Sequence, residues 1–323
     1  MFGESLAVNV VVLAVSLGML YFGAGWLVRG AGLLARAMHI RPIVIGITII
    51  AFATSTPELV VGLTSTLRGV GTIAIGNIVG ANVANVGLII GVSALVRPLV
   101  VQRSTWRKEV PIAVAAQVLL FIFCVNGTLQ RWEGVVLVAV LLAFVIWMVL
   151  TAKERGVLPE KIAKARARPL VNLIQLLVGG AVLVVGGNLL VPAALQVAEA
   201  AGVSHLTIGL TVIAFGTTVP ELATGIVAAR RGEGDIAIGN AIGSIFFNTA
   251  FVLGLAAAIS PITIAPHEFA DVIRVKLPVM IVLVLALVPF MRSGFRVTRL
   301  EGAILLACYL AFVAYSFWSG QAP

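Results

Sequence analysis

Two glutamates, Glu58 and Glu221, stand deep in apolar stretches that contain no Lys or Arg to pair with them. A charged side chain at the centre of a bilayer costs about 2.5–3.5 kcal/mol on insertion scales, so it is rare without a task. Each glutamate closes the same motif, Ala-Phe-(Ala/Gly)-Thr-(Ser/Thr)-x-Pro-Glu. Pro57 and Pro220 have no N–H to donate, and each ring crowds the carbonyl four residues earlier, at Ala53 and Gly216. The helix should kink or break there and free carbonyl oxygens one turn before the carboxylate. Thr54, Ser55, Thr217 and Thr218 place hydroxyls at the same level. Two facing carboxylates carry a formal charge that matches one divalent cation. Carboxylates, hydroxyls and carbonyls form an all-oxygen set, which suits hard ions such as Ca2+ or Na+ rather than zinc or copper. A plainer reading makes each carboxyl a protonated hydrogen-bond donor and the hydroxyls mere patches on a proline-broken helix. Duplication of the whole constellation argues for the ligand reading.

A second motif follows each glutamate: Gly-Asn-x-x-Gly-(Ala/Ser)-x-x-x-Asn, at 76–85 and 239–248. Gly76/Gly80 and Gly239/Gly243 are small-xxx-small pairs that let helix backbones approach closely. Asn85 and Asn248 lie well inside their apolar spans and read as ion ligands or interhelical hydrogen-bond glue. Asn77 and Asn240, one or two turns earlier, read as structural. A shift of 163 residues superposes Gly46–Gly91 on Gly209–Gly254 without a gap, with 21 of 46 positions identical. The matches keep Thr, Pro, Glu, Asn and Gly in step, which chance similarity between apolar segments would not. Fainter matches at the same shift reach Gly23/Gly186, Ala31/Ala194 and Pro98/Pro261.

The elements that carry these motifs must be membrane helices. The chain has 323 residues, 60% hydrophobic and only 11% charged, with a mean hydropathy of +1.13. Soluble domains carry about 25% charged residues, so a soluble enzyme, a nucleic-acid binder and a disulfide-stapled domain are excluded. Cys124 and Cys308 both sit in apolar stretches. The spacing predicts ten spans, near 5–28, 42–66, 72–96, 110–126, 132–151, 170–190, 203–229, 236–259, 275–291 and 301–318. The amino-terminal run lacks a basic leader, carries Glu4 and is long enough to span, so it reads as a helix and not a cleaved signal. Of 22 basic residues, 18 fall in one set of alternate loops and 4 (Arg68, Arg131, Arg274 and Lys276) in the other. That asymmetry predicts the first set in the cytoplasm and both termini outside. Trp26, Trp132 and Trp318 read as interfacial anchors, and His39, His205 and His267 as loop residues.

Five spans precede the polar stretch and five follow it. The expected organisation is a first repeat over 1–151, a basic cytoplasmic linker over 152–169 and a second repeat over 170–323. An odd number of spans per repeat inverts the second half, an architecture of transporters that open alternately to either side. No nucleotide-binding motif, metalloprotease motif or nucleophile elbow occurs. The expectation is a carrier driven by an ion gradient, without enzymatic activity or cofactor.

These residues resemble the cation/calcium exchanger superfamily, in particular its sodium/calcium exchanger branch. The likeness covers two repeats, about 42–96 and 205–259, and its layout extends over the whole chain. It implies an all-α integral membrane protein with ten transmembrane helices in two inverted five-helix repeats. Four cation sites would cluster at the midplane between the second, third, seventh and eighth helices. The first and sixth helices would be long, peripheral and sliding. By resemblance, Glu58 and Glu221 are the central Ca2+ ligands. Thr54, Ser55, Thr217, Thr218 and Ser244 add hydroxyls, Asn85 an amide, and the carbonyls of Ala51 and Ala214 serve flanking Na+ sites. Asn248 enters the expected site from the residue reading. Three positions depart from the family pattern: Ala81 replaces Ser, Asn248 stands where many prokaryotic members have Asp, and Ile245 replaces Asn. The cation/proton branch carries an acidic residue soon after Gly-Asn, and 78–80 and 241–243 have none. The expected activity is electrogenic exchange of Ca2+ for Na+ at a bacterial or archaeal plasma membrane by a monomer whose only partners are ions and lipid. Divalent cation/H+ exchange on the same carboxylates is the alternative.

Overall fold

The structure, a computed structural model, describes residues 6–103, 105–151, 169–200 and 216–319. Among the described residues ten helical segments succeed one another, seven of them long and apolar enough to cross a membrane, or eight when the bent pair is taken as one. They are α1 (Leu6–Met38), the bent α2 (Pro42–Thr54 and Thr56–Leu67), α3 (Gly71–Val96), α4 (Val110–Cys124) and α5 (Arg131–Leu150). The second half holds α6 (Pro169–Ala200), α7 (Val219–Arg231), α8 (Gly234–Ile259), α9 (Pro266–Arg292) and α10 (Arg299–Ser319). The predicted linker extended to 169, but Pro169 already opens α6, and 152–168 lie outside the described residues.

Sequence signals set the joints. Arg41 is extended, as a residue before proline prefers, and Pro42 opens α2 from its first helical position. Gln130 and Glu133 form a capping box at the start of α5. Thr298 and Glu301 do the same for α10, with the Thr298 N–H donating to Glu301 Oε2 at 2.7 Å. Two of the chain's thirteen acidic residues are thereby accounted for at the span ends.

The inverted repeat is visible in the pairings. β1 (Leu99–Val100) pairs with β4 (Arg296–Val297), and β2 (Thr128–Leu129) with β3 (Ile262–Thr263). Each small sheet joins loops that the span map assigns to one side of the membrane. Close glycine crossings repeat likewise. A Cβ on Gly23 would meet the Gly179 carbonyl, and one on Gly186 would meet the Ser16 carbonyl, where α1 and α6 pack along each other. Gly91 abuts Gly302 between α3 and α10, and Gly134 abuts Gly254 between α5 and α8.

α3 and α8 are the most buried spans, whereas α1, α5, α9 and α10 present most of their surface outward. Leu6, Val11, Tyr21 and Phe22 of α1 are exposed apolar side chains, which suit lipid and would be costly in water. Three expectations need correction. α1 and α6 run to 33 and 32 residues, about 50 Å at 1.5 Å per residue, because nothing breaks α1 before the left-handed His39. Trp26 and Arg29 consequently lie within α1, and Arg36 in its last turn. His267 belongs to the first turn of α9, while His205 is outside the described residues. The added length of α1 also carries Arg36 to Glu233 at 3.0 Å. Arg41 at the head of α2 meets the fully buried Glu109 at 3.0 Å.

Candidate cation site

Both glutamates sit where proline chemistry puts them, in the first turn of a helix that starts in mid-span. α2 bends by 49° at Ser55, whose backbone leaves the helical region. Glu58 occupies the first turn of the second segment and Glu221 the first turn of α7. Free N–H groups and the positive end of the helix dipole favour a negative charge at such a position. Both side chains are 1% exposed. Thr217 stands against Glu58, Thr54 and Ser244 stand against Glu221, and the two carboxyls are near enough for their charges to interact. None of the four carboxylate oxygens makes a hydrogen bond of good geometry.

Close backbone packing brings the halves together. Gly239 and Gly243 of α8 lie against Ile43, Gly46 and Ile47 of α2, with the would-be Cβ of Gly243 only 2.5 Å from the Ile47 carbonyl. Only glycine permits this approach, and it sets Thr54 against α8. The Thr54 hydroxyl donates to Asn240 Oδ1 at 3.1 Å and lies 3.5 Å from Ser244 Oγ. For Gly76 and Gly80, the corresponding segment 201–215 lies outside the described residues.

Asn85 and Asn248 each begin a π-helical turn, Asn85–Ile90 and Asn248–Leu253. One wide turn breaks the regular ladder at equivalent points of α3 and α8, a feature frequent at functional sites. Asn85 donates Nδ2 to the Ala81 carbonyl of its own helix at 2.9 Å, and Asn248 donates Nδ2 to Asn82 Oδ1 at 3.1 Å. In both, Oδ1 is buried without a protein donor. Ser55 Oγ and Thr217 Oγ1 share that condition. Four carboxylate oxygens, two amide oxygens and two hydroxyls thus form a set of buried oxygens in these motifs without a hydrogen bond of good geometry. In native structures such atoms call for an explanation. Their chemistry fits a hard cation. Among the described residues no three His, Cys, Asp or Glu side chains converge, and the oxygens named here beyond the glutamates belong to neutral side chains.

The remaining predicted residues divide. Thr218 is buried at the cap of α7, three residues before Glu221. The Ala51 carbonyl already accepts from the Ser55 N–H at 2.9 Å and faces the Thr54 hydroxyl at 3.4 Å. Ala214 lies outside the described residues. Asn240, read as structural, uses its oxygen on Thr54. Sequence reasoning missed Asn82, Gln117 and Thr249, which form a fully buried polar cluster behind Asn248. Their signal was available: polar residues inside apolar spans whose repeat mates, Ile245, Val284 and Val86, are apolar.

Comparison with known proteins agrees with this architecture. The family described as "Sodium/calcium exchanger protein" matches residues 8–150 and 171–318, one match per repeat. The inner membrane protein YrbG of Escherichia coli is 34% identical over 291 residues, covering 88% of this chain and 89% of its own. The sodium/calcium exchanger MaX1 of Methanosarcina acetivorans is 30% identical over 355 residues, covering 97% and 99%. Among solved structures, the sodium-calcium exchanger NCX_Mj soaked with 10 mM Na+ and zero Ca2+ superposes with a TM-score of 0.84 at 26% identity, covering 96% of this chain and 99% of that one. A bent α2, paired mid-span glutamates and an inverted repeat thus occur in a chain that matches this family over nearly its whole length. The chain belongs to the sodium/calcium exchanger family, as a multi-pass membrane cation antiporter.

Proposed function

We propose that this protein exchanges Ca2+ for Na+ by alternating access, with both ions using the oxygens around Glu58 and Glu221. The observation that carries the reading is the set of buried carboxylate, amide and hydroxyl oxygens without a hydrogen bond of good geometry. Burying an uncompensated charge costs several kcal/mol, and one Ca2+ or several Na+ would offset two. Competition for the same oxygens then couples the fluxes: Ca2+ leaves as Na+ enters. Ser55, Thr217, Asn85 and Asn248 complete the set, with Thr54, Thr218 and Ser244 beside it and the Ala51 and Ala214 carbonyls flanking it.

The long α1 and α6 are the moving pair in this reading. They pack on each other through their glycine crossings and meet the core at Gly180 on Ala53, Gly187 on Pro220, Gly25 on Arg231 and the Arg36–Glu233 pair. The two five-helix halves, 1–151 and 170–323, act as the units that exchange roles. The basic linker is cytoplasmic and the termini are outside, an orientation supported by the charge asymmetry and by the same-side loop pairs. A plasma-membrane location is supported by the likeness to an inner membrane protein. The protein works as a monomer, without cofactor or catalysis.

The test is uptake of radiolabelled Ca2+ into proteoliposomes loaded with Na+ and diluted into Na+-free buffer. Uptake is expected with internal Na+ and not with internal K+. Uptake driven by a pH gradient without Na+ would assign the protein to divalent cation/H+ exchange on the same carboxylates.

A further inference from the structure

α4 contributes nothing to either sequence motif, yet its Gln117 is fully buried between α3 and α8. From it runs a chain of amides that ends at the ion site. Gln117 Nε2 lies 3.4 Å from the Ile245 carbonyl, and a carbonyl can only accept. That makes Oε1 the end facing Asn82, which donates from Nδ2 at 3.2 Å. Asn82 Nδ2 also reaches Thr249 Oγ1 at 3.0 Å, and the Thr249 hydroxyl donates back to Gln117 Oε1 at 3.0 Å. With Nδ2 committed there, Asn82 turns Oδ1 toward Asn248. Asn248 must answer with Nδ2, at 3.1 Å, and keeps Oδ1 free of protein donors. The two ends of an amide are nearly alike in shape, so only such a network, anchored on a backbone carbonyl, decides which end faces where.

We propose that Gln117 and Asn82 are positioning residues for the transported cation: they fix the amide of Asn248 so that it offers an oxygen, and not an NH2 group, to the ion. The inference rests on Asn248 being a cation ligand, as proposed above. The other half of the site needs no such device, because Asn85 is oriented by a carbonyl of its own helix. The repeat mates of Asn82 and Gln117, Ile245 and Val284, could not build one.

The experiment is equilibrium binding of radiolabelled Ca2+ to the purified full-length protein in Na+-free buffer, which needs no counter-ion. Gln117→Met removes the anchor at similar volume and should weaken Ca2+ binding about five- to tenfold, the worth of roughly one buried hydrogen bond. Asn248→Asp bypasses the device, since both its terminal atoms are oxygens. Adding Gln117→Met to Asn248→Asp should therefore change affinity by less than about twofold. Unchanged binding by Gln117→Met would overturn the positioning role. An equal loss in both backgrounds would overturn it too, marking Gln117 as a packing residue. Absence of Ca2+ binding by the parent would overturn the proposed function itself, with the inference built on it.

Discussion

The two halves of the site were built from one motif and have diverged around it. On the α3 side, Asn85 rests its amide on the Ala81 carbonyl, and the position equivalent to Ser244 carries only a methyl group. On the α8 side, Ser244 lies near Thr54, and Asn248 is backed by Asn82, Gln117 and Thr249. The carboxylates themselves remain matched, each at a mid-span helix start and each 1% exposed. In the proposed exchange, what both halves retain would serve the need common to both, a cation held between two buried carboxyls. In that proposal the parts that differ would tune which ion is preferred, and the difference lies in neutral groups.

The most direct way to break that division is to make the matched part unmatched. Glu58→Gln and Glu221→Gln should each reduce Ca2+ transport by more than about 100-fold in proteoliposomes, since each removes a charge worth several kcal/mol at a buried site. Near-normal transport by either would end the two-carboxylate account. The amides should differ less. Asn248→Ala should cost about tenfold in Ca2+ affinity and Asn85→Ala a similar amount. Only the loss at 248 should be accompanied by a lower thermal midpoint, because its removal leaves Asn82 Oδ1 buried without a donor. Equal midpoints would remove the asymmetry.

Packing sharpens the comparison from outside the site. Gly243→Ala would place a methyl 2.5 Å from the Ile47 carbonyl, and it should destabilise the protein by about 1–3 kcal/mol. Gly18→Ala, which meets nothing within 4 Å, should leave the unfolding temperature unchanged or raise it. The smallest expected effect is at Ala81→Ser, which returns the missing hydroxyl to the α3 side. Na+ should then compete with Ca2+ about two- to fivefold more effectively, the worth of up to one hydrogen bond. No change would mean that position 81 does not face the ion.

Much of this was legible in the sequence because the repeat states it twice. A 163-residue shift that keeps Pro57 with Pro220, Glu58 with Glu221 and Asn85 with Asn248 predicts the bend, the buried carboxylates and the inversion. What the repeat does not state was not legible. The overrun of α1 to Met38 hides behind Arg29 and Arg36, which look like loop residues although they continue the helix. The π-helical turns at Asn85 and Asn248 depend on how the spans pack, and apolar residues around them carry no periodic signature. Gln117 belongs to a helix with no motif at all. Its partners are 35, 128 and 132 residues away, and only folding brings them together. The unequal mates, Asn82 against Ile245 and Gln117 against Val284, were the available clue.

The central claim is that Ca2+ and Na+ share one set of oxygens. The measurement that tests it most directly is Ca2+ binding to the purified protein as Na+ replaces K+ at constant ionic strength and pH. The account predicts that Ca2+ is displaced by Na+ more steeply than one ion for one, and is indifferent to K+. Ca2+ binding that ignores Na+ and falls only as the pH is lowered would contradict it.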